Sequence, residues 1–192
     1  MSSTELIKQL RDETGVSIMQ CKRALEEAGD DIEKAKIALR KISAQVAAKK
    51  ADRELGSGAI QTYIHTGNSV AGVVVLACET DFVAKNEDFV RLAYDIAMHV
   101  AATAPEFVSR AEVTDDSTAA AREVFEKEAA DKPEEMRDKI VQGKIDAFLK
   151  DKVLLEQPFV KNPDTTVQGL LDEATQKFGE RIEIASMARF AV

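Results

Sequence analysis

Two patterns of apolar residues follow one another along the chain. In the first stretch the apolar positions step by three and four: Leu6, Ile7 and Leu10, then Ile18, Cys21, Leu25 and Ala28, then Ile32, Ala35, Leu39, Ile42 and Val46. Each set is one face of a 3.6-residue period and predicts an amphipathic helix. The punctuation agrees with that reading. Ser3 or Thr4 can cap the first helix and Gly15 stops it, Ser17 caps the second and Gly29 ends it, and Asp30 or Asp31 opens the third. Beyond Leu39 the remaining faces of the third helix read KISAQVAAKKADRE, polar and alanine-rich. Its tail should therefore lie in solvent or against a neighbour and not inside the bundle. Residues 1–40 are expected to form a three-helix domain and 41–56 a helical linker.

From Gly56 the period drops to two. Ile60, Thr62 and Ile64 alternate with Gln61, Tyr63 and His65, and Val70 to Cys78 is a nearly continuous β-branched and apolar run. Thr66-Gly67-Asn68-Ser69 between them is turn chemistry, so the two strands predict an antiparallel hairpin whose second strand is central. Asn86, or the acidic pair after it, begins a helix through Phe89, Ala93, Ile96, Ala97 and Val100 that Pro105 closes. Residues 118–131 read as a charged, mostly exposed helix. Pro133 starts another with Met136, Ile140, Ile145 and Phe148 as apolar positions, and the two can form an antiparallel pair. The apolar VLLEQPFV is interrupted at Pro158. Thr165 or Thr166 then caps a helix ending at Gly179, and residues 181–192 form a last strand with Ile182, Ile184, Ala188, Phe190 and Val192 on one side. The predicted fold class is α+β: the N-terminal bundle, then a core over 57–192 with a small antiparallel sheet (59–78 and 181–192) packed with helices.

Composition narrows the function. Of 192 residues, 45% are hydrophobic and 31% charged, enough for a core in a soluble chain, and 26 basic against 34 acidic side chains leave a net charge of −8. Residues 1–53 are net +2, 54–110 net −4 and 111–192 net −6. Nucleic-acid binding runs on phosphate neutralisation, which an acidic body with pI near 5.0 supplies poorly, so a protein partner is expected and no nucleic acid. Two cysteines and two histidines, Cys21, Cys78, His65 and His99, show no metal-ligand spacing. The two cysteines read as small hydrophobes, and His99 as a packed or surface histidine and not a metal ligand. No signal-like start and no apolar run of roughly 20 residues argue for a cytoplasmic protein with reduced thiols and no membrane partner. No nucleophile elbow, phosphate-cradling glycine loop or metal motif is present, so neither catalysis nor a cofactor is expected.

One segment stands apart. Asp81-Phe82 sits in a loop after the second strand, followed by the polar Lys85-Asn86-Glu87-Asp88. Phe82 is either a buried staple at a helix start or an exposed aromatic on a rigid stem, the form that interface hot spots take.

These residues resemble a known family. Leu10-Arg11-Asp12-Glu13-Thr14-Gly15 with Met19-Gln20-Cys21-Lys22-Arg23-Ala24-Leu25, Glu79-Thr80-Asp81-Phe82-Val83-Ala84-Lys85-Asn86, Met98-His99-Val100-Ala101-Ala102 and Gln157-Pro158-Phe159-Val160 are similar to blocks of the elongation factor Ts family, guanine-nucleotide exchange factors for elongation factor Tu. The resemblance implies a ubiquitin-associated-like N-terminal domain. It further implies that Thr80, Asp81, Phe82 and Val83 enter the nucleotide domain of elongation factor Tu and disturb its magnesium site, with Phe82 as the wedge. Lys22 and Arg23 are implied to pair with the partner's acids, and His65 to reach the partner from the core. Longer members duplicate the core, whereas this chain has one copy. It therefore resembles a short form that pairs as a homodimer, here through the sheet face that carries Tyr63 and alternate residues of Val70 to Cys78. Two other readings use the same residues: an adaptor whose bundle binds ubiquitin-like or other small proteins and is indifferent to Phe82, and an enzyme that turns over without any GTPase.

Overall fold

The structure, a computed structural model, describes residues 3–192; Met1 and Ser2, the start of the expected 1–40 domain, lie outside the described residues. In chain order the elements are α1 (Ser3–Thr14), α2 (Ile18–Ala28), α3 (Ile32–Ala48), β1 (Ser57–Ile64), β2 (Val70–Cys78), α4 (Asp81–Ala84), α5 (Glu87–Thr103), α6 (Asp115–Glu128), α7 (Glu134–Lys152), β3 (Pro158–Phe159), β4 (Asn162–Thr166), α8 (Val167–Phe178) and β5 (Glu183–Ala191). The class is α+β, as the period change at Gly56 predicts. The sheet order is β1-β2-β5 with β2 central, and β3 and β4 form a separate two-stranded ladder. By compactness the chain divides into one unit of residues up to Gln61, Val74–Asp95 and Gln168–Ala185, and another of Thr62–Val73, Ile96–Val167 and Ser186–Val192.

In the first unit, α1, α2 and α3 close around Leu10, Val16, Cys21, Leu25, Ala35 and Leu39. Burying a leucine there stabilises the bundle by about 2 kcal/mol over leaving it in water. Ser17 caps α2 through the N–H of Gln20 at 3.4 Å, Gly29 takes the left-handed conformation (φ 64°), and Asp31 caps α3 through the N–H of Lys34 at 3.1 Å. Two details differ from the sequence reading. Ser3 and Thr4 are inside α1, so neither caps it. Ile18 is exposed and Ala24 is buried in its stead. Ile18 opens α2, and a helical Cβ leans toward the N-terminus, so its side chain overhangs the preceding loop and not the bundle.

The tail of α3 is helical to Ala48 and finds its neighbour in α8. Ser43, buried, hydrogen-bonds Leu39 O at 3.0 Å and also the Gln176 side chain, and Arg40 pairs with Glu173 at 3.4 Å.

The two faces of the hairpin are the reverse of those expected. Along β1 it is Ile60, Thr62 and Ile64 that stand in water, while Ala59, Gln61 and Tyr63 are half-buried. Alternation fixes which residues share a face but not which face is covered. The second unit supplies the reason: Gly72 of β2 lies so close to α5 that a Cβ there would run into Ala97 O and the Ala101 N–H. Sheet and helix backbones approach too tightly on that side for a row of isoleucines. Arg189 of β5 reaches the same helix, donating to Ala101 O at 3.0 Å, which turns Phe190 outward.

The second unit also contains the α6–α7 pair, packed through Ala129, Val141, Ile145, Leu149 and Val153, with Phe125 edge-on to Phe148 at 6.3 Å. Helix α6 starts three residues before 118 because Thr114 and Ser117 form a capping box. Met136 is exposed, against expectation. The β3–β4 ladder was not legible as strands. Pro158 opens a two-residue strand, where a missing N–H costs no ladder bond.

His99 is fully buried, which decides between the packed and the surface reading. Its Nδ1 accepts from the Val160 N–H at 3.3 Å, so the ring proton is on Nε2, which donates to the Gln157 side-chain oxygen at 2.8 Å. Burial pushes its pKa down, against a smaller opposing effect of Gln157. The unfolded chain therefore binds a proton near pH 6.5 that the folded one refuses, and this residue's contribution to stability falls as pH drops below about 6.5. Urea midpoints between pH 7.5 and 5 should decline more steeply for wild type than for His99→Phe; parallel profiles would show that His99 titrates alike in both states.

Candidate functional site

Strand β2 ends at the buried Cys78, whose thiol is pushed up by burial and donates to Thr80 O at 3.2 Å. The chain then turns at once. Thr80 is extended (φ −124°, ψ 156°) and its hydroxyl oxygen accepts from the Val83 N–H at 3.4 Å, so the expected loop is a single capped helical turn, α4. Within that turn the side chains divide. Val83 and Ala84 are buried, whereas Phe82 is 82% exposed. Phe82 is thus no staple: the turn is pinned from beneath by Val83 and presents an aromatic ring to water. The pKa of Asp81 beside it is lowered, because Lys85 hydrogen-bonds it at 2.6 Å.

The base of the turn is held by residues from the far end of the sequence. Glu180 accepts the backbone N–H groups of Glu79 at 3.1 Å and Thr80 at 3.0 Å on one carboxylate oxygen, and the Thr80 hydroxyl at 2.6 Å on the other. Glu79 in turn accepts the Arg181 N–H at 2.6 Å, which with Arg53 holds its carboxyl low. Lys177 pairs with Asp88 at 2.7 Å, and Phe178 meets Phe89 edge-on at 6.0 Å. Sequence reasoning missed this cradle. A glutamate after a helix-stopping glycine carries no mark of a partner 100 residues away.

Lys22 and Arg23 belong to the same unit and are exposed on α2, each paired one turn on, with Glu26 at 3.7 Å and Glu27 at 2.9 Å. Beside them Ile18 and Met19 are exposed too, a pair of apolar side chains next to two cations. His65 lies in the other unit, also exposed, with Nδ1 3.0 Å from the Tyr63 hydroxyl. A cavity of about 410 Å³ opens there, lined by Tyr63, His65, Val70, Met98, Ala101 and Val160. Among the described residues no cluster of three His, Cys, Asp or Glu side chains could hold a metal ion, and no helix is long and apolar enough to cross a membrane.

A large aromatic held in water by a capped turn, with Val83 and Ala84 buried beneath it, is the form an interface anchor takes on an α+β scaffold. Comparison with known proteins makes this specific. The family model for elongation factor TS matches residues 7–192. The sequence is 45% identical over 190 residues to elongation factor Ts of Desulforamulus reducens, covering 98% of this chain and 88% of that one. It is 43% identical over 194 residues to elongation factor Ts of Thermosipho melanesiensis, covering 100% and 99%. The chain belongs to the elongation factor Ts family.

Proposed function

We propose that the protein is a guanine-nucleotide exchange factor for elongation factor Tu in translation elongation, and that it accelerates GDP release by inserting the Thr80–Val83 turn and disturbing the partner's magnesium site. The observation that carries this reading is Phe82, 82% exposed on a turn whose cap and floor are fixed. On a GTPase the nucleotide and magnesium hold each other, since the ion bridges phosphate oxygens and is itself held by protein oxygens. A wedge that displaces those ligands by about an ångström weakens both. Phe82 is the wedge and Asp81 stands beside it. Thr80 sets the turn, and Val83 supports it from inside.

In this reading the three-helix bundle is a ubiquitin-associated-like domain over 1–40, joined through 41–56 to the core over 57–192. Lys22 and Arg23 meet acids of the partner while Ile18 and Met19 add apolar contact. The two cations sit in surface pairs that are each worth less than about 1 kcal/mol, so exchanging Glu26 and Glu27 for the partner's carboxylates costs little. His65 reaches the partner from the core. The protein acts in the cytoplasm, makes and breaks no bond of its own, needs no cofactor, and pairs as a homodimer.

Release of labelled GDP from elongation factor Tu tests the reading. Substoichiometric protein should accelerate release and hydrolyse nothing alone. Because coupling between two ligands on one protein is reciprocal, GDP with magnesium should weaken binding of this protein to elongation factor Tu by the same factor by which the protein weakens GDP. An affinity indifferent to GDP would sink the mechanism.

A further inference from the structure

We infer that Glu180 is a positioning residue for exchange: its carboxylate fixes the turn that carries Phe82, so that the ring meets its target already oriented. This rests on the reading of Thr80–Val83 as the inserted segment.

The hydrogen-bond chain runs directly to that turn. Gly179 stands after α8 in the left-handed conformation (φ 73°), which reverses the chain and brings Glu180 against the end of β2. The carboxylate accepts a hydrogen bond from the Thr80 hydroxyl at 2.6 Å. A threonine hydroxyl has one proton, so committing it to Glu180 leaves the Thr80 oxygen as a pure acceptor, the role it needs to cap α4 through the Val83 N–H at 3.4 Å. The other carboxylate oxygen holds the two peptide N–H groups that lead into the turn. One anion thus fixes the approach of the backbone, the direction of the capping hydroxyl and, through Val83, the turn on which Phe82 stands.

Global stability is a weak explanation for this arrangement. Two of the three bonds, those from the Thr80 N–H and hydroxyl, are exposed, so water competes for them and weakens their share in folding. Binding is different. A wedge on a loose turn must be ordered when it docks, and that ordering is subtracted from affinity and from the distortion the wedge can impose. The flanking contacts fit the same purpose: Lys177 to Asp88 and Phe178 to Phe89 hold the segment that follows the turn in the chain.

The experiment is a double-mutant cycle read by GDP release from elongation factor Tu over a range of protein concentrations, with thermal midpoints alongside. Glu180→Ala should lower exchange roughly tenfold or more while the midpoint moves little. Glu180→Gln should recover part of the loss, because an amide oxygen still accepts the two peptide N–H groups. In a Phe82→Ala background, Glu180→Ala should cost little further, since a residue acting through Phe82 has nothing left to position. Wild-type exchange by Glu180→Ala overturns the inference. So does the same fold loss with and without Phe82, or a loss that tracks unfolding. Failure of the insertion reading looks different: Phe82→Ala itself would exchange like wild type, which removes the basis for Glu180 as well.

Discussion

Replacing Phe82 by alanine is expected to be the most damaging single truncation for exchange. A central aromatic anchor commonly contributes about 2–4 kcal/mol to an interface, which corresponds to roughly thirty- to several-hundred-fold in affinity. In the free protein the ring makes no comparable contribution, because 82% of it already lies in water. Removing it should therefore leave the thermal midpoint close to wild type, within the range of a neutral surface change. This separation of activity from stability is the useful part of the experiment. Val83→Ala one position on is the internal contrast: its side chain is buried beneath the same turn, so it should lose stability along with activity. An adaptor that used only the bundle would be unaffected by Phe82→Ala, and a core residue would lose activity and stability together. Either result removes Phe82 as the wedge.

How much of this was legible in the sequence depends on the range of the interactions concerned. The bundle helices and their caps at Ser17, Gly29 and Asp31 were readable because each is a contract between residues three or four apart. The hairpin and its turn were readable for the same reason. Faces were harder. Period two groups Ile60 with Ile64, yet only the close approach of Gly72 to α5, set by tertiary packing, decides that this pair looks outward. Phe82 was undecidable between staple and wedge, because its exposure depends on Val83 and not Phe82 filling the space beneath the turn. The α3 tail was open between solvent and a neighbour, and that Ser43 meets Gln176 follows from folding across 133 residues. Glu180 was wholly hidden, since its three bonds are long-range and its local context is that of any charged residue after a helix stop. The candidate site was therefore legible as a motif, while the apparatus that holds it was not.

Substituting Phe190 by aspartate should convert the proposed homodimer into a monomer near 21.0 kDa. In the second unit the His65 N–H bonds Val70 O at 2.8 Å and the Val192 N–H bonds Ser69 O at 3.1 Å. These two bonds set the register at that end of the sheet and place Ile64 and Phe190 on one face, on either side of Ala71. Both are largely in water, at 61% and 63% exposure. Two large apolar side chains flanking an alanine make a patch that a second copy can cover by the same surface, and this face takes the place of the Tyr63 face expected from the sequence. Pairing about a two-fold axis is isologous, so each residue is buried twice and a single substitution is felt twice. If each Phe190 contributes about 2 kcal/mol, the variant dimer loses about 4 kcal/mol, near a thousandfold in dissociation constant. The carboxylates add a desolvation cost in the same direction. Because Phe190 is mostly exposed in the protomer, the monomer should keep its fold, and Tyr63→Asp on the half-buried face should instead damage folding. Sedimentation at micromolar concentration decides the matter. A wild-type chain that runs as an active monomer near 21.0 kDa, or a Phe190→Asp variant that still pairs, would show that this face is not where two copies meet.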